Sequence, residues 1–480
     1  MTRPTAIESR TKIVATVGPA CESPEKLAAL IEAGVSVFRI NTAHGDRDAH
    51  AAKLNAVREA GRRVGFEPAV LVDLAGPKIR LGELAEEPHQ CEVGAHYRFV
   101  RGSAAQPPED ARTLTSSYRK LIDELSVGDR VMLADGTVAM RVESVGDEAA
   151  VCVVEAGGVI RSRQGINLPG ANLSVSSMLP RDIENAIWAA ENDVDLISLS
   201  FVRTAEDVNS LKKLLASYEC RAMVIAKIEK PEALDNLSSI VAAADGVMVA
   251  RGDLGVEIDV AETPMEQKRI IAECRRQVKP VIVATQMLES MHTSARPTRA
   301  EVSDVANAIL DGADACMLSG ETAIGDHPET AVRMMARIMR ATETKMPPGG
   351  DDVQSETSRV RRVTAAVTDA ATTIAETIDA RMIVIATRSG NTAWVASRRR
   401  GMTPMLGVSD DPVVRRRLNL LWGVRPLAAD HLDDNEELLS VVRRWADTGT
   451  PLKKDDQVVL VKGTGVIARA HNTVLVHRIE

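Results

Sequence analysis

The chain has 480 residues and a formal net charge of -8, with 45% hydrophobic, 26% charged and only 2% aromatic residues. A chain of this length exceeds the size at which one core usually keeps growing, so roughly two to four domains are expected, with cores filled by Ala, Val, Ile, Leu and Met. Mild acidity without a basic stripe, and a shortage of aromatic stacking platforms, exclude a nucleic-acid partner, and no apolar run approaches the roughly 20 residues of a membrane span.

The N-terminus, MTRPTAIESRTK, is polar and lacks the apolar core of a secretory signal. Cys21, Cys91, Cys152, Cys220, Cys274 and Cys316 show no CxxC or Cys/His spacing. That pattern argues against a zinc site or a disulfide framework, and the expected location is the reducing cytoplasm.

Along the chain, aliphatic runs alternate with amphipathic helical stretches: KIVATVG (12–18), a helix from Ser23-Pro24, SVFRINTA (36–43), a helix to about residue 61, and AVLVDLA (69–75). This βα rhythm belongs to a parallel sheet. It breaks over residues 84–170, where short β-like pieces separated by Gly and Asp turns predict a small β-barrel domain inserted as a lid. The rhythm resumes with strands at 195–201, 222–229, 246–253, 280–287 and 314–320, each followed by a helix. Eight βα units predict a (β/α)8 barrel built from residues 1–83 and 171–342. Residues 343–357, rich in Pro, Gly and acidic side chains, read as a linker. Residues 358–480 read as a C-terminal α/β domain with strands at 381–387, 403–409, 456–463 and 472–479. Within it the cationic run Arg398–Arg400 reads as a solvated helix face.

Active sites of such barrels lie at the C-terminal ends of the strands, and here those ends carry chemistry. The second ends in Arg39-Ile40-Asn41, the third in Asp73, the fifth in Lys227-Ile228-Glu229, the sixth in Arg251-Gly252-Asp253, the seventh in Thr285-Gln286 and the eighth in Ser319-Gly320-Glu321. Residues two apart on a strand share a face, so Arg39 with Asn41, and Lys227 with Glu229, point into one site. A lysine after an apolar run is costly to bury unpaired. Its alternative role is a structural ion pair with Glu229. Glu229 and Asp253 are hard oxygen donors of the kind Mg²⁺ or Mn²⁺ takes. With Lys227, Arg39 and Arg80 nearby they point to a metal-assisted anionic substrate, a phosphate or carboxylate.

The stretches KIVATVGPACESPEKL, FRINTAHG, DLAGPKIRLG, INLPG, AKIEKPEALDN, GVMVARGDLGVEI, PVIVATQMLESM and RPTRAEVSDVANAILDGADACMLSGETA resemble pyruvate kinase in order and spacing, from residue 12 to the C-terminus. The resemblance implies transfer of a phosphoryl group from phosphoenolpyruvate to ADP, giving ATP and pyruvate. It implies that Glu229 and Asp253 hold the divalent ion, that main-chain amides of Arg251, Gly252 and Asp253 seat the substrate carboxylate, and that Arg39 meets the phosphoryl group. Lys227 would stabilise that group and the enolate, with Thr285 in the relay that protonates it. Thr16, Pro19, Asn41, His44 and Arg80 match nucleotide-contacting positions. A homotetramer, and a sugar-phosphate or nucleotide effector at the loop TRSGNTA with Thr387, Ser389 and Thr392 as candidates, are further implications.

The chain departs from the family pattern around a monovalent cation. Asn41 and Asp73 are kept, but Ala43, Leu74 and Lys78 stand where many relatives have serine, threonine and glutamate. The Lys78 ammonium, compact and monovalent, would replace K⁺, so K⁺ is not expected to be required. In the inserted domain Gln164 takes the place of a frequent lysine, with Arg163 adjacent as a substitute. Asp135 matches a lid aspartate, and Ala134 replaces a second one. Two alternatives stay open at this point: an enolate-forming aldolase or lyase on a related barrel, and a catalytically weakened paralogue kept for binding or regulation.

Overall fold

The structure is a computed structural model that describes residues 9–134, 136–170, 174, 176–346, 362–446, 452–463 and 473–480. Asp135 and most of the expected linker, residues 347–357, lie outside them.

Eight parallel strands close a barrel in chain order: Lys12–Thr16, Val35–Asn41, Ala69–Asp73, Leu196–Leu199, Met223–Ile228, Gly246–Ala250, Val281–Ala284 and Ala315–Leu318. The first pairs in parallel with both the second and the eighth. Alternate residues of each strand bury in opposite directions. Val14, Val37, Leu71, Leu196, Ile225, Met248, Ile282 and Ala315 fill the interior, while Ile13, Phe38, Val72, Ile197, Val224 and Val283 pack under the surrounding helices. Burial on both faces is why these strands read as continuous aliphatic runs. Leu420, far along the chain, is fully buried within the interior cluster, so the C-terminal domain plugs the N-terminal mouth of the barrel.

Helix boundaries follow local chemistry. Ser23 caps Pro24–Ala33 by accepting from the Lys26 amide, and Gly34 ends it. Thr298 and Glu301 form a reciprocal capping box at the start of Arg299–Asp311.

The inserted segment forms a six-stranded sheet in the order Ile166–Asn167, Arg130–Leu133, Val138–Val145, Ala149–Ala156, His96–Val100, Thr113–Leu114, beside a two-stranded ribbon of His89–Cys91 and Gly158–Ile160. Tyr97, Phe99, Val131, Met140 and Cys152 fill its own core. Asn167 Nδ2 and Lys230 Nζ both donate to Glu257 Oε1, at 3.1 and 2.6 Å, tying this segment to the barrel rim. The C-terminal domain is a five-stranded sheet ordered Val424–Ala428, Met405–Ser409, Met382–Ala386, Gln457–Lys462, Thr473–Arg478, the last strand antiparallel.

Four local expectations change. The sixth barrel strand stops at Ala250, and Arg251–Glu257 is already helix. The seventh stops at Ala284, because Thr285 and Gln286 adopt left-handed backbone at φ 67° and 54°, a conformation side chains other than glycine's rarely take. Strand Val424–Ala428 was not anticipated; its Arg and Pro interrupt the apolar pattern. The run Arg398–Arg400 is not a solvated face. Arg398 and Arg400 are buried, 7% and 5% exposed, and both turn to Asp314 just before the eighth barrel strand. A second triplet, Arg415–Arg417, lies on the helix Pro412–Leu418, where Arg415 pairs with Glu67 and Arg416 with Asp195.

Candidate active site

The polar strand ends gather at the C-terminal mouth of the barrel, around Asp73. Only 2% exposed, its carboxylate takes Arg39 through Nε at 2.7 Å and Nη2 at 2.5 Å, Ser198 Oγ at 2.6 Å, and Lys227 Nζ at 3.4 Å. Burial alone would raise the Asp73 pKa, but Lys227 and Arg39 outweigh it and hold the group below the usual carboxylate range.

Lys227 is the centre of a second set of contacts. Its ammonium lies 2.9 Å from Glu229 Oε1 and donates to Ser200 Oγ at 2.7 Å. Burial opposes its charge, yet Asp73, Glu229 and Asp253 together raise it above an ordinary lysine, so the group stays cationic at all physiological pH. Glu229 is 1% exposed, and its other oxygen accepts the Phe201 amide at 2.7 Å. Burial pushes the Glu229 carboxyl up, and the charge of Asp253 adds to that rise while Lys227 opposes it. Asp253, in the first turn of Arg251–Glu257, takes Lys78 Nζ at 3.6 Å.

The seventh strand end is locked to the sixth. Thr285 Oγ1 donates to the Ala284 carbonyl at 2.6 Å and accepts the Gly252 amide at 2.7 Å. The Arg251 guanidinium has partners of its own. Its Nη1 pairs with Asp304 at 2.6 Å and its Nη2 donates to the Thr285 carbonyl at 2.8 Å, pinning the left-handed turn. Side chains holding a strained strand end are what a positioned catalytic hydroxyl needs.

On the side of the first three strands, Thr16 Oγ1 accepts from Arg39 Nη1 at 3.1 Å and donates to the Leu318 carbonyl. Asn41 Oδ1 accepts the Ala43 amide, closing the turn after the second strand. Pro19 and His44 are exposed at the rim. Partial burial, then the charges of Arg80, Lys53 and Arg39, lower the His44 pKa, which places Arg80 and Arg39 on its side of the mouth.

Arg80 Nη1 donates to the Arg163 carbonyl at 3.1 Å, linking barrel to inserted sheet. Arg163 itself is at φ 63° with its guanidinium held by Glu83 at 2.5 Å, and Gln164 Oε1 accepts the Arg161 amide.

The structure thus joins Arg39, Asp73, Lys227 and Glu229 in one chain of ion pairs, with the pair Lys78–Asp253 near enough for the Asp253 charge to act on Lys227 and Glu229, and with Thr285 bonded to Gly252. Ser198, Ser200 and the Phe201 amide were not singled out from the sequence. The signal was the run SLSF, whose serines alternate with leucine and phenylalanine at a strand end. In the C-terminal loop, Thr387 and Thr392 are buried and Ser389 is exposed. Thr387 Oγ1 accepts the Gly390 amide at 3.0 Å, so that hydroxyl shapes its own turn.

Comparison with known proteins agrees along the whole chain. Residues 8–332 match a family model described as pyruvate kinase, barrel domain, and residues 365–477 one described as pyruvate kinase, alpha/beta domain. A pyruvate kinase of Mycobacterium intracellulare is 42% identical over 475 residues, covering 98% of both chains. One from Geobacillus stearothermophilus is 39% identical over 96% of this chain and 78% of its own. A crystal structure of a pyruvate kinase from Cryptosporidium parvum superposes with a TM-score of 0.89 at 32% identity, over 98% of this chain and 96% of that one. A match that includes the C-terminal domain sets aside the aldolase or lyase reading. The chain belongs to the pyruvate kinase family of phosphotransferases.

Proposed function

We propose that the chain transfers the phosphoryl group of phosphoenolpyruvate to ADP, giving ATP and pyruvate, with Mg²⁺ or Mn²⁺ and without K⁺. The observation that carries this reading is the seating of Lys227 between Asp73 and Glu229, with Arg39 on the far side of Asp73. Two fixed cations face a mouth where negative charge must develop twice. As the phosphorus–oxygen bond of the enol phosphate breaks and a bond to an ADP phosphate oxygen forms, charge spreads over the transferring group, and the departing electron pair becomes an enolate. Arg39 meets the first charge and Lys227 both, at no reorganisation cost because Asp73, Ser198 and Ser200 already hold them. The enolate carbon then takes a proton, and Thr285, fixed by Gly252 and Ala284, positions its delivery.

Glu229 and Asp253 fit a divalent ion. They are hard oxygen donors, and Glu229 is buried, with its carboxyl raised by that burial and, further, by the charge of Asp253. When bound, the ion supplies Lewis-acid neutralisation of substrate oxygens. Glu229→Gln is expected to weaken Mn²⁺ binding by about tenfold or more, measured by titrating free Mn²⁺ with electron paramagnetic resonance. Unchanged affinity would remove Glu229 from the metal site.

Thr16, Pro19, Asn41, His44 and Arg80 line the side we assign to ADP. Lys78 stands in for the monovalent cation, its charge delivered to Asp253. Wild-type activity should be the same in K⁺ and in a bulky organic cation, whereas Lys78→Glu should become K⁺-stimulated. Strong K⁺ activation of the wild type would sink this assignment and leave the reaction standing. The reaction itself is tested by ADP-dependent pyruvate formation from phosphoenolpyruvate with Mg²⁺, and its absence would favour the weakened-paralogue reading.

A further inference from the structure

Past the seventh and eighth barrel strands lies a cluster of side chains that the proposed reaction does not use. Glu289–His292 is a single 3-10 turn, and Glu321 sits in the turn Gly320–Ala323 after the eighth strand. Ligand atoms of Glu289, His292 and Glu321 all lie within 4.8 Å of one another. His292 Nε2 is shut off from solvent with no hydrogen-bond partner among the described residues, and it stands 3.9 Å from Glu289 Oε1 and 4.0 Å from Glu321 Oε2. Those gaps are too long for hydrogen bonds. Glu321 is 1% exposed and is held by two neutral donors, the Leu288 amide on Oε1 at 3.1 Å and the Ser319 amide on Oε2 at 2.7 Å. Burial pushes its carboxyl up, backbone amides oppose that, and the charge of Glu289 adds to the rise. Among the described residues neither carboxylate has a lysine or arginine partner. A buried acid without a cation and a sealed ring nitrogen without a partner thus share one gap, and a cation in it would satisfy both.

We propose that Glu289, His292 and Glu321 bind a divalent ion of the Zn²⁺ type, at a site separate from Glu229 and Asp253, which follow the fifth and sixth strands. One imidazole nitrogen with two carboxylate oxygens is a donor set that Zn²⁺ takes with water in the fourth position, whereas Mg²⁺ is held by oxygen donors. Bonds of about 2.0–2.1 Å at the tetrahedral angle put donor atoms about 3.3 Å apart. Each gap must therefore close by about 0.6 Å, which rotation of the Glu289 side chain, 56% exposed, and a tilt of the imidazole supply. Glu321 is the fixed ligand. An ionised carboxylate has about four lone-pair sites, so its two amide bonds leave it able to ligate. The ring is placed by its surroundings: an added Cβ at Gly320 would collide with it, and the Asp326 amide donates to the His292 carbonyl at 2.8 Å. The bound ion would fasten the exit of the eighth strand to the segment that follows the left-handed turn at Thr285.

The test is calorimetric titration of the metal-stripped full chain with Zn²⁺ in excess Mg²⁺, which competes for the Glu229–Asp253 pair. Wild type should bind one Zn²⁺ under these conditions, and Glu229→Gln should bind it equally well. His292→Ala and Glu289→Gln should each weaken the binding by about tenfold or more, at least what is lost when a group that merely orients a ligand is removed. Glu289 is exposed, so its variant reads the site even where His292→Ala folds poorly. Zn²⁺ should also raise the Tm of wild type and of Glu229→Gln, but not of His292→Ala. Unchanged affinity in His292→Ala or in Glu289→Gln, or no Zn²⁺ bound in excess Mg²⁺, would overturn the assignment. So would binding lost in Glu229→Gln but kept in His292→Ala, which would put the Zn²⁺ on the Glu229–Asp253 pair and leave the proposed reaction standing.

Discussion

Lys227→Met is expected to lower kcat for phosphoryl transfer by about three orders of magnitude while moving the KM for phosphoenolpyruvate far less. Removing one preorganised donor at a developing oxyanion costs about 10²–10³ in rate, and Lys227 is assigned to two developing charges. An interaction made chiefly in the transition state leaves its mark on kcat, whereas uniform binding would appear in KM. The lysine is also a structural partner of Asp73 and Glu229, so a fall in activity needs a control for folding. Asp73 keeps Arg39 and Ser198 in the variant, and Glu229 keeps the Phe201 amide. Lys227→Arg supplies the second control. It retains the charge between the two carboxylates but spreads it over a planar fork that cannot occupy the same point. The expectation is a Tm close to wild type with kcat still depressed. Full activity in Lys227→Met, or loss of activity only in step with loss of Tm, would reduce Lys227 to an ion-pair partner.

The barrel was legible because its signal is local: aliphatic runs of four to seven residues, buried on both faces, alternate with capped helices. Strand ends were less so. The sixth and seventh were read too long because GVMVARGD and PVIVATQM continue to look extended, whereas Arg251 starts a helix and Thr285 and Gln286 turn left-handed. Nothing in single-residue propensity announces that turn; the Arg251 bond to the Thr285 carbonyl holds it, and that contact is tertiary. The charged residues of the site could be named from their places at strand ends. Their wiring could not. Arg251 was expected to contribute its main-chain amide, and nothing in that expectation foretold that its guanidinium would reach Asp304; Lys78 looked like a neighbour of Asp73 but reaches Asp253. Long flexible side chains choose among several carboxylates within reach, and the choice depends on strands brought together only by closing the barrel.

The arginine run shows the same limit with a larger energy attached. Asp314 accepts Arg400 Nη2 at 3.0 Å and lies 3.6 Å from Arg398 Nη1, all three side chains being nearly excluded from water. Its second oxygen accepts the Val281 amide at the start of the seventh strand. Arg400 donates to the Gly312 carbonyl at 2.6 Å and stacks on Trp422, with its carbon 4.8 Å from the ring centroid. Burial pulls the Arg400 guanidinium down to about 10, and Asp314 is the main force against that.

Replacing Asp314 with alanine leaves two buried cations without their shared anion. Breaking a buried pair in this way costs about 3–5 kcal/mol, and the apparent Tm should fall on the order of 10 °C. The barrel rim that carries Lys227 and Glu229 is at the opposite end of the strands from Asp314, and the N-terminal face of such a barrel serves stability whereas the C-terminal face carries the chemistry. Activity at 25 °C should therefore stay near wild type while thermal inactivation accelerates. Adding Arg398→Met and Arg400→Met to Asp314→Leu should recover much of the lost Tm, since replacing a whole buried ionic group by apolar side chains is far less costly than orphaning part of it. A Tm unchanged in Asp314→Ala would mean that water reaches the seam and that the C-terminal domain is held by Leu420 and its apolar neighbours instead.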